Sequence, residues 1–286
     1  MRTPSNVSPE VFSAALQEFA GVVGKEWVFV EDEDLFPYRD SYSPLRDTLE
    51  DRSASAAVAP SSVEEVQAVV RIADKHRIPL YTISTGKNLG YGGSAPNHAG
   101  SVVLDLKRMN RIIEVSESNA YAIVEPGVSY FDLYNYIQER GLKVWLDVAD
   151  PGWGSVVGNA LDHGVGHTLS RFRNHFDSHC GMEVVLANGE VVRTGMGALP
   201  GSQTWGQFKM GMGPILDGIF SQSNFGVVTK MGIWLMPAPE AFMHGMVMAP
   251  RYDDLHAVVE LLKYVENSGL APGAPEMGSP LLGISN

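Results

Sequence analysis

The stretch Tyr81–Pro96, YTISTGKNLGYGGSAP, constrains this chain more than any other. Gly86, Gly90, Gly92 and Gly93 crowd together there, directly after the strand-like run Ile78–Ile83. Glycine has no Cβ, so such a loop can adopt positive φ and bring its amides close to a ligand. Successive amides that converge make a nest for an anion, the usual device for holding a pyrophosphate. Lys87 adds a charge, Ser84 and Thr85 add hydroxyls, Asn88 adds an amide, and Tyr91 places an aromatic ring in mid-loop. No Gly-Lys-Ser/Thr closes the loop, and its glycines lack the spacing of the dinucleotide fingerprint. The reading is a phosphorylated ligand held in a different manner, with a plain glycine-rich surface turn as the alternative.

The flanking elements have an α/β order. Pro9–Val23 reads as a capped amphipathic helix with Val11, Ala14, Leu16 and Phe19 near helical spacing. Glu31–Arg52 reads as an irregular connection, with Glu31–Glu33 a solvated acidic loop. Ala56–Ala59 is a short strand. Val63–His76 is a helix with Ser61 or Ser62 as its N-cap and Val63, Val66, Val69, Val70 and Ala73 on one face. Strand, helix, strand and loop in this order are typical of an α/β sandwich. Strands are predicted at Val102–Leu106, Ile112–Val115, Ala122–Val124 and Val144–Val148, and a helix over Tyr130–Arg140 closed by Gly141.

A second glycine cluster, DVADPGWGSVVGNALDHGVG, spans 147–166. A helix start near Ser155 would offer free amides and hence a second anion site; close helix packing is the alternative. MEVVLANGEVVRT, 182–194, is a hairpin turning at Asn188-Gly189. Phe225–Met236 reads as a long buried strand ended by Pro237 and Pro239. Tyr252–Ser268 reads as an amphipathic helix with Leu255, Val258, Leu261 and Leu262 on its face.

A chain of 286 residues admits one large or two modest domains. Its net charge of −12 argues against a nucleic-acid surface. No signal-peptide core and no run of membrane-span length is read from it. Cys180 is the single cysteine and cannot form an internal disulfide. The expectation is a soluble, cytoplasmic protein, with bacterial export as the alternative. Cys180 reads as a small buried hydrophobe, and Met210, Met212, Met231 and Met236 as gap-filling core.

Five blocks carry a family resemblance: STGKNLGYGGSAP (84–96), VEPGVSYFDLYNYI (124–137), LDVADPGWGSVVGN (146–159), GMEVVLANGEVVRTGMGALPGS (181–202) and SQSNFGVVTKMGIWLMP (221–237). Together they resemble the vanillyl-alcohol oxidase and p-cresol methylhydroxylase flavoproteins, the eugenol oxidase-like branch in particular, in order over about residues 10–240. The resemblance implies an α+β fold: a two-part FAD-binding domain of the p-cresol methylhydroxylase type, then the start of a truncated α+β substrate cap. The implied boundaries are 1–50 for a helical segment packing on the FAD domain, 51–240 for that domain, and 241–286 for the incomplete cap. FAD is the implied cofactor, and no metal is expected. The implied activity is oxidation of para-substituted phenols of the 4-alkylphenol, vanillyl alcohol or eugenol type. Hydride would leave the benzylic carbon for the flavin, giving a quinone methide. The implied partners are a small phenol, a homo-oligomeric copy and, as in some relatives, a cytochrome electron acceptor; nucleic acid and membrane are not among them.

Residue by residue, the resemblance assigns Ser84, Thr85, Gly86, Lys87, Asn88, Leu89, Gly90 and Gly92 to the FAD pyrophosphate. Pro126, Gly127, Ser155, Gly158, Asn159, Asp162 and Gly164 would line the second side of the dinucleotide, with Gly226, Val227 and Val228 touching it from the following strand. Tyr91 matches a tyrosine that helps hold the substrate phenolate, and Asp150 an aspartate beside flavin N5 with a role in the redox step. Donors at the phenolic oxygen would be aimed at the charge that drives the transfer, while the flavin carries the hard chemistry.

The sequence departs from the family pattern in two places. The family extends well beyond this length, and its second half supplies the cap, a tyrosine–arginine pair for the phenolate and, in many members, the His or Tyr bonded covalently to FAD. An active chain completed by other residues and a catalytically silent FAD-binding fragment or subunit are therefore both expectations. The second departure is HTLSRFRNH, 167–175, where most members read Tyr-Thr-Pro-Tyr-Gly-Asp-His. It reads as loop drift, with altered substrate or acceptor specificity as the alternative. The nearby His163, His167, His175 and His179 are spaced like metal-binding pairs, but the intervening glycines break any helix that would align them. A sugar or lactone oxidase is the weaker alternative, disfavoured by Tyr91 and the DVADPGWGS block.

Overall fold

The computed structural model describes residues 3–48, 50–88, 93–168, 170–243, 245, 248–249, 251–269 and 277–278, the side chains of Ser170, Arg171 and Tyr252 excepted. Ser8 caps α1 (Pro9–Val23), accepting from the Val11 amide at 3.4 Å, with Pro9 in the first turn where its missing N–H costs nothing. The buried side chains of α1 are Phe12, Ala15, Phe19 and Val23. Of the predicted face, Phe19 is buried and Leu16 half-buried against the same core, whereas Val11 and Ala14 are exposed. The position of the helix that α1 packs against, α3, decides which apolar residues enter the core. Fully burying Phe12 and Phe19 stabilises by about 1.5–3 kcal/mol each. The acidic stretch expected as a loop forms a short exposed helix, α2 (Asp32–Leu35), whose carboxylates sit in the first turn, where the helix dipole favours them.

The first lobe is a four-stranded sheet of order β1-β2-β4-β3, formed by β1 (Val28–Phe29), β2 (Ala56–Val58), β3 (Leu80–Ile83) and β4 (Val102–Asp105). β2 and β3 both run parallel to β4, and α3 (Val63–His76) is the crossover between them. Every residue of β2 and β4 is buried, as parallel strands covered on their faces require. Ser62 is the N-cap of α3, and the buried Val66, Val69, Val70 and Ala73 form its inner face.

The second lobe is an antiparallel sheet of order β5-β6-β10-β8-β9: β5 (Ile112–Ser116), β6 (Tyr121–Val124), β8 (His179–Leu186), β9 (Val191–Arg193) and β10 (Gly226–Trp234). The predicted hairpin is β8–β9, with Gly189 at φ +78° in its turn. The helices of this lobe are α4 (Tyr130–Glu139), α5 (Val156–Leu161) and α6 (Ser170–Arg173). The strand predicted over Val144–Val148 is only β7 (Val144–Trp145), paired with β11 (Met236–Pro237), because the chain then turns Asp147 into a buried polar cluster.

Two adjacent valine pairs join the lobes. Val185 opposes Val227 in the β8–β10 register and lies in the core of the first sheet; Val184 opposes Val228 and lies in the core of the second. Residues one apart on a strand face opposite ways, so β8 and β10 serve both cores. Gln67 and Arg71 of α3 also donate to the Gly189 carbonyl at 2.6 and 2.8 Å, fixing α3 against the hairpin turn.

Two expectations are corrected. Met231 and Met236 are core residues, but Met210 and Met212 are exposed. The predicted helix over Tyr252–Ser268 begins as a 3-10 turn and continues as α7 (Leu255–Ser268), none of whose residues is buried. Among the described residues, no helix is long and apolar enough to cross a membrane.

Candidate cofactor site

β3, an edge strand whose last residue, Ile83, is buried, delivers the chain into Ser84–Asn88. Gly86 stands at φ +66°, and a Cβ added there would lie 2.8 Å from the Cβ of Ser94, so the position requires glycine. The amides of Ser84, Thr85, Gly86, Lys87 and Asn88 have no hydrogen-bond partner among the described residues. Five consecutive donors thus leave the end of a strand unpaired, the composition of an anion nest. Lys87 is exposed beside them. Leu89, Gly90, Tyr91 and Gly92 lie outside the described residues.

α5 faces this loop. Its N-cap, Ser155, accepts from the Gly158 amide at 2.9 Å and donates to the Pro126 carbonyl at 2.6 Å. The Val156 amide is bound to the Val128 carbonyl at 3.1 Å. Two of the free amides expected at this helix start, those of Val156 and Gly158, are therefore engaged within the protein. α5 contributes closeness instead: a Cβ on Gly158 would fall on the Ser84 hydroxyl. Asn88 Nδ2 donates to Asp162 Oδ2 at 3.1 Å, a second tie across the same seam.

The other expected contact residues have visible packing roles. Gly127 lies against backbone, where a Cβ would meet the Lys107 carbonyl oxygen at 2.7 Å and that of Met109 at 2.8 Å. A Cβ on Gly164 would collide with the Asn159 side chain, and one on Gly226 would stand 2.5 Å from Val184. Val227 and Val228 are buried on opposite faces of β10. The Asp150 side chain is 95% exposed, with His167 Nε2 at 3.8 Å from its Oδ2.

Behind α5 lies a buried cluster that sequence reading missed. Asp147 Oδ1 accepts from the Thr168 amide at 2.8 Å and from the Thr168 hydroxyl, while its Oδ2 pairs with His175 Nε2 at 2.6 Å. His175 Nδ1 lies 2.9 Å from the Tyr130 hydroxyl and closes on Asn159 Oδ1, which also accepts from the Tyr130 hydroxyl at 3.1 Å. Burial, and then the Asp147 charge, push the Tyr130 phenol above its ordinary range. A second pair, His179 Nε2 with Asp217 Oδ2 at 2.6 Å, is also buried. His175 and His179 thus each pair with a separate carboxylate, which accounts for two of the four clustered histidines in terms other than metal ligation. The one available signal was an aspartate at 147 inside an otherwise apolar run.

A mixed and an antiparallel lobe, with an unpaired amide row and a helix that presents Gly158 to it at their seam, make a dinucleotide-binding flavoprotein fold. Residues 54–195 match the family described as FAD binding domain. The chain is 45% identical to the 4-cresol dehydrogenase [hydroxylating] flavoprotein subunit of Pseudomonas putida over 97% of this chain and 53% of that one. It superposes on p-cresol methylhydroxylase with substrate bound at a TM-score of 0.88 and 44% identity, covering 95% of this chain and 52% of that one. It also matches 4-ethylphenol oxidase from Gulosibacter chungangensis in its isoeugenol complex, with a TM-score of 0.84, 45% identity, and coverage of 92% and 50%. The chain belongs to the p-cresol methylhydroxylase family of flavoproteins, and FAD is its cofactor. It spans about half the length of these relatives.

The residues present fit that cofactor. The amide row of Ser84–Asn88 supplies donors for a pyrophosphate, and Gly158 keeps the opposite wall free of a side chain.

Proposed function

We propose that this chain is the FAD-binding half of an oxidoreductase acting on para-substituted phenols. The observation that carries this reading is the intact amide row of Ser84–Asn88 against Gly158, in a chain 45% identical to a 4-cresol dehydrogenase flavoprotein subunit. Ser84, Thr85, Gly86, Lys87 and Asn88, continued by Leu89, Gly90 and Gly92, hold the pyrophosphate; Gly158, Asn159 and Gly164 line the opposite wall. Bound FAD supplies the two-electron acceptor for hydride from a benzylic carbon. Tyr91 donates to the phenolic oxygen, stabilising the phenolate whose electrons drive that transfer. Asp150, exposed and beside His167, faces the reacting region. Residues 51–240 form the cofactor unit. The segment 1–50 packs on it, which the shared core of α1 and the first sheet supports, and 241–286 opens the cap.

A second reading is a flavin-binding chain without catalysis. An anaerobic absorbance spectrum of the FAD-loaded chain, before and after adding a 4-alkylphenol, separates the two. Bleaching of the flavin band supports the oxidoreductase. A bound flavin that stays oxidised supports the silent protein.

A further inference from the structure

We infer that Asp162 is a positioning residue of the cofactor site: it acts on FAD binding through Asn88, clasping the donor row Ser84–Asn88 to the end of α5, and not by touching the cofactor. The inference rests on the reading of that row as the pyrophosphate site. It replaces the direct contact that the family resemblance implies for Asp162.

The end of α5 fixes where this carboxylate stands. The Gly164 amide donates to the Asn159 carbonyl at 2.8 Å and the His163 amide to the Ala160 carbonyl at 3.1 Å, with His163 at φ +56°. These bonds around a left-handed residue close the helix in a Schellman motif, with Asp162 as its C-cap. Each carboxylate oxygen then faces a side-chain amide. Oδ2 accepts from Asn88 Nδ2 at 3.1 Å, and Oδ1 from Gln222 Nε2 at 3.4 Å. Gln222 also grips the backbone of the same helix end. Its amide donates to the Leu161 carbonyl at 3.1 Å and its Nε2 to the Asp162 carbonyl at 3.2 Å. It does so at φ +45°, a conformation that residues with a Cβ rarely adopt and that persists only where surrounding contacts hold it. The 3-10 turn before it, Asp217–Phe220, is anchored in turn by the buried Asp217–His179 pair. A loop, a helix end and the turn before β10, distant in sequence, thus converge on Asp162.

Charge and order decide what this clasp does for the cofactor. A pyrophosphate is anionic, so a carboxylate aimed at it would repel it. The Asp162 carboxylate is turned to amide hydrogens instead. Asn88 ends the donor row, and its side chain is spent on Asp162, which leaves its backbone amide for the ligand. With the clasp in place, the row meets the ligand already arranged. Without it, only the fraction of chains whose loop is correctly placed can bind, and the apparent affinity falls by that fraction.

The test is FAD titration of the purified chain, followed by flavin fluorescence, with the melting temperature of each FAD-free variant alongside. Asp162→Ala and Asn88→Ala should each raise the dissociation constant about three- to tenfold, the scale of one hydrogen bond lost. The double variant should be no weaker than the worse single one, because both substitutions break the same bond. Asp162→Asn, which keeps a carbonyl oxygen for Asn88 Nδ2 and drops the charge, should recover most of the loss. A lower melting temperature in Asp162→Ala with an unmoved dissociation constant would show a role in stability alone and overturn the inference. Full additivity of the two alanine substitutions, the mark of two separate contacts with the ligand, would also overturn it. So would an Asp162→Asn variant as weak as Asp162→Ala. If Asp162→Ala does not fold, Asn88→Ala and Asp162→Asn still decide: the first must weaken binding and the second must nearly keep it. Loss of binding in Gly158→Val but not in Asp162→Ala overturns this inference alone, while an unaltered, folded chain that takes up no FAD overturns the site reading with it.

Discussion

A Cβ added to Gly158 in α5 would fall on the hydroxyl of Ser84 at the end of β3. The two lobes touch here with nothing but backbone on one side. Gly158→Val should weaken FAD binding at least about tenfold, although replacing a helical glycine would otherwise tend to stabilise the helix. Ser84→Gly in the same chain should restore part of the affinity. The check is FAD titration of the single and double variants with their FAD-free melting temperatures.

Ser155 joins two jobs in one hydroxyl, capping α5 and satisfying the Pro126 carbonyl. Ser155→Ala should lower stability by about 1–2 kcal/mol through the lost cap and the unpaired carbonyl. Urea unfolding followed by circular dichroism measures it; an unchanged midpoint would show that water replaces both bonds.

Asp217 is paired with His179 in the interior. Burial pushes its carboxyl up, but hydrogen bonds from His179 and Thr194 outweigh that and hold it below the ordinary carboxylate range. Its contribution to stability is therefore complete above the unfolded value of about 4 and is lost as pH falls through the lower folded value. Glu183 behaves alike, with Lys230 and Arg193 outweighing its burial. Stability should fall steeply below about pH 4, and Asp217→Asn should flatten that slope. Asp217→Ala, which leaves His179 buried without its partner, should cost about 3–5 kcal/mol. Thermal unfolding between pH 3 and 7, roughly the carboxylate range and above, checks both.

Cys180 is buried, and that burial pushes its thiol up to about 12. The folded chain should resist a disulfide reagent at about pH 8 and react with one equivalent once unfolded, since only the thiolate attacks. Rapid reaction of the native chain would contradict this placement.

Signals confined to neighbouring residues were legible in the sequence. Asn188-Gly189 announced the hairpin, Ser62 and Ser155 announced their helices, and the glycines after Ile83 announced the ligand loop. What depends on distant partners was not. The α1 span and the buried Phe19 were correct, but half of the face was not, because α3 selects Phe12 and Ala15 over Val11 and Ala14. Met210 and Met212 look like Met231 in composition, yet Met231 lies in a central strand of the second sheet and is buried while they are exposed. The Asp147–His175 and His179–Asp217 pairs join residues 28 and 38 positions apart, a relationship no local pattern encodes.

The central claim is that the seam between Ser84–Asn88 and Gly158 holds FAD. The most direct measurement is titration of FAD into the purified, folded chain, monitored by flavin absorbance and fluorescence. The account predicts saturation at one FAD per chain, with binding lost in Gly158→Val. A folded chain that leaves FAD in solution, or a Gly158→Val variant that binds it unchanged, would contradict it.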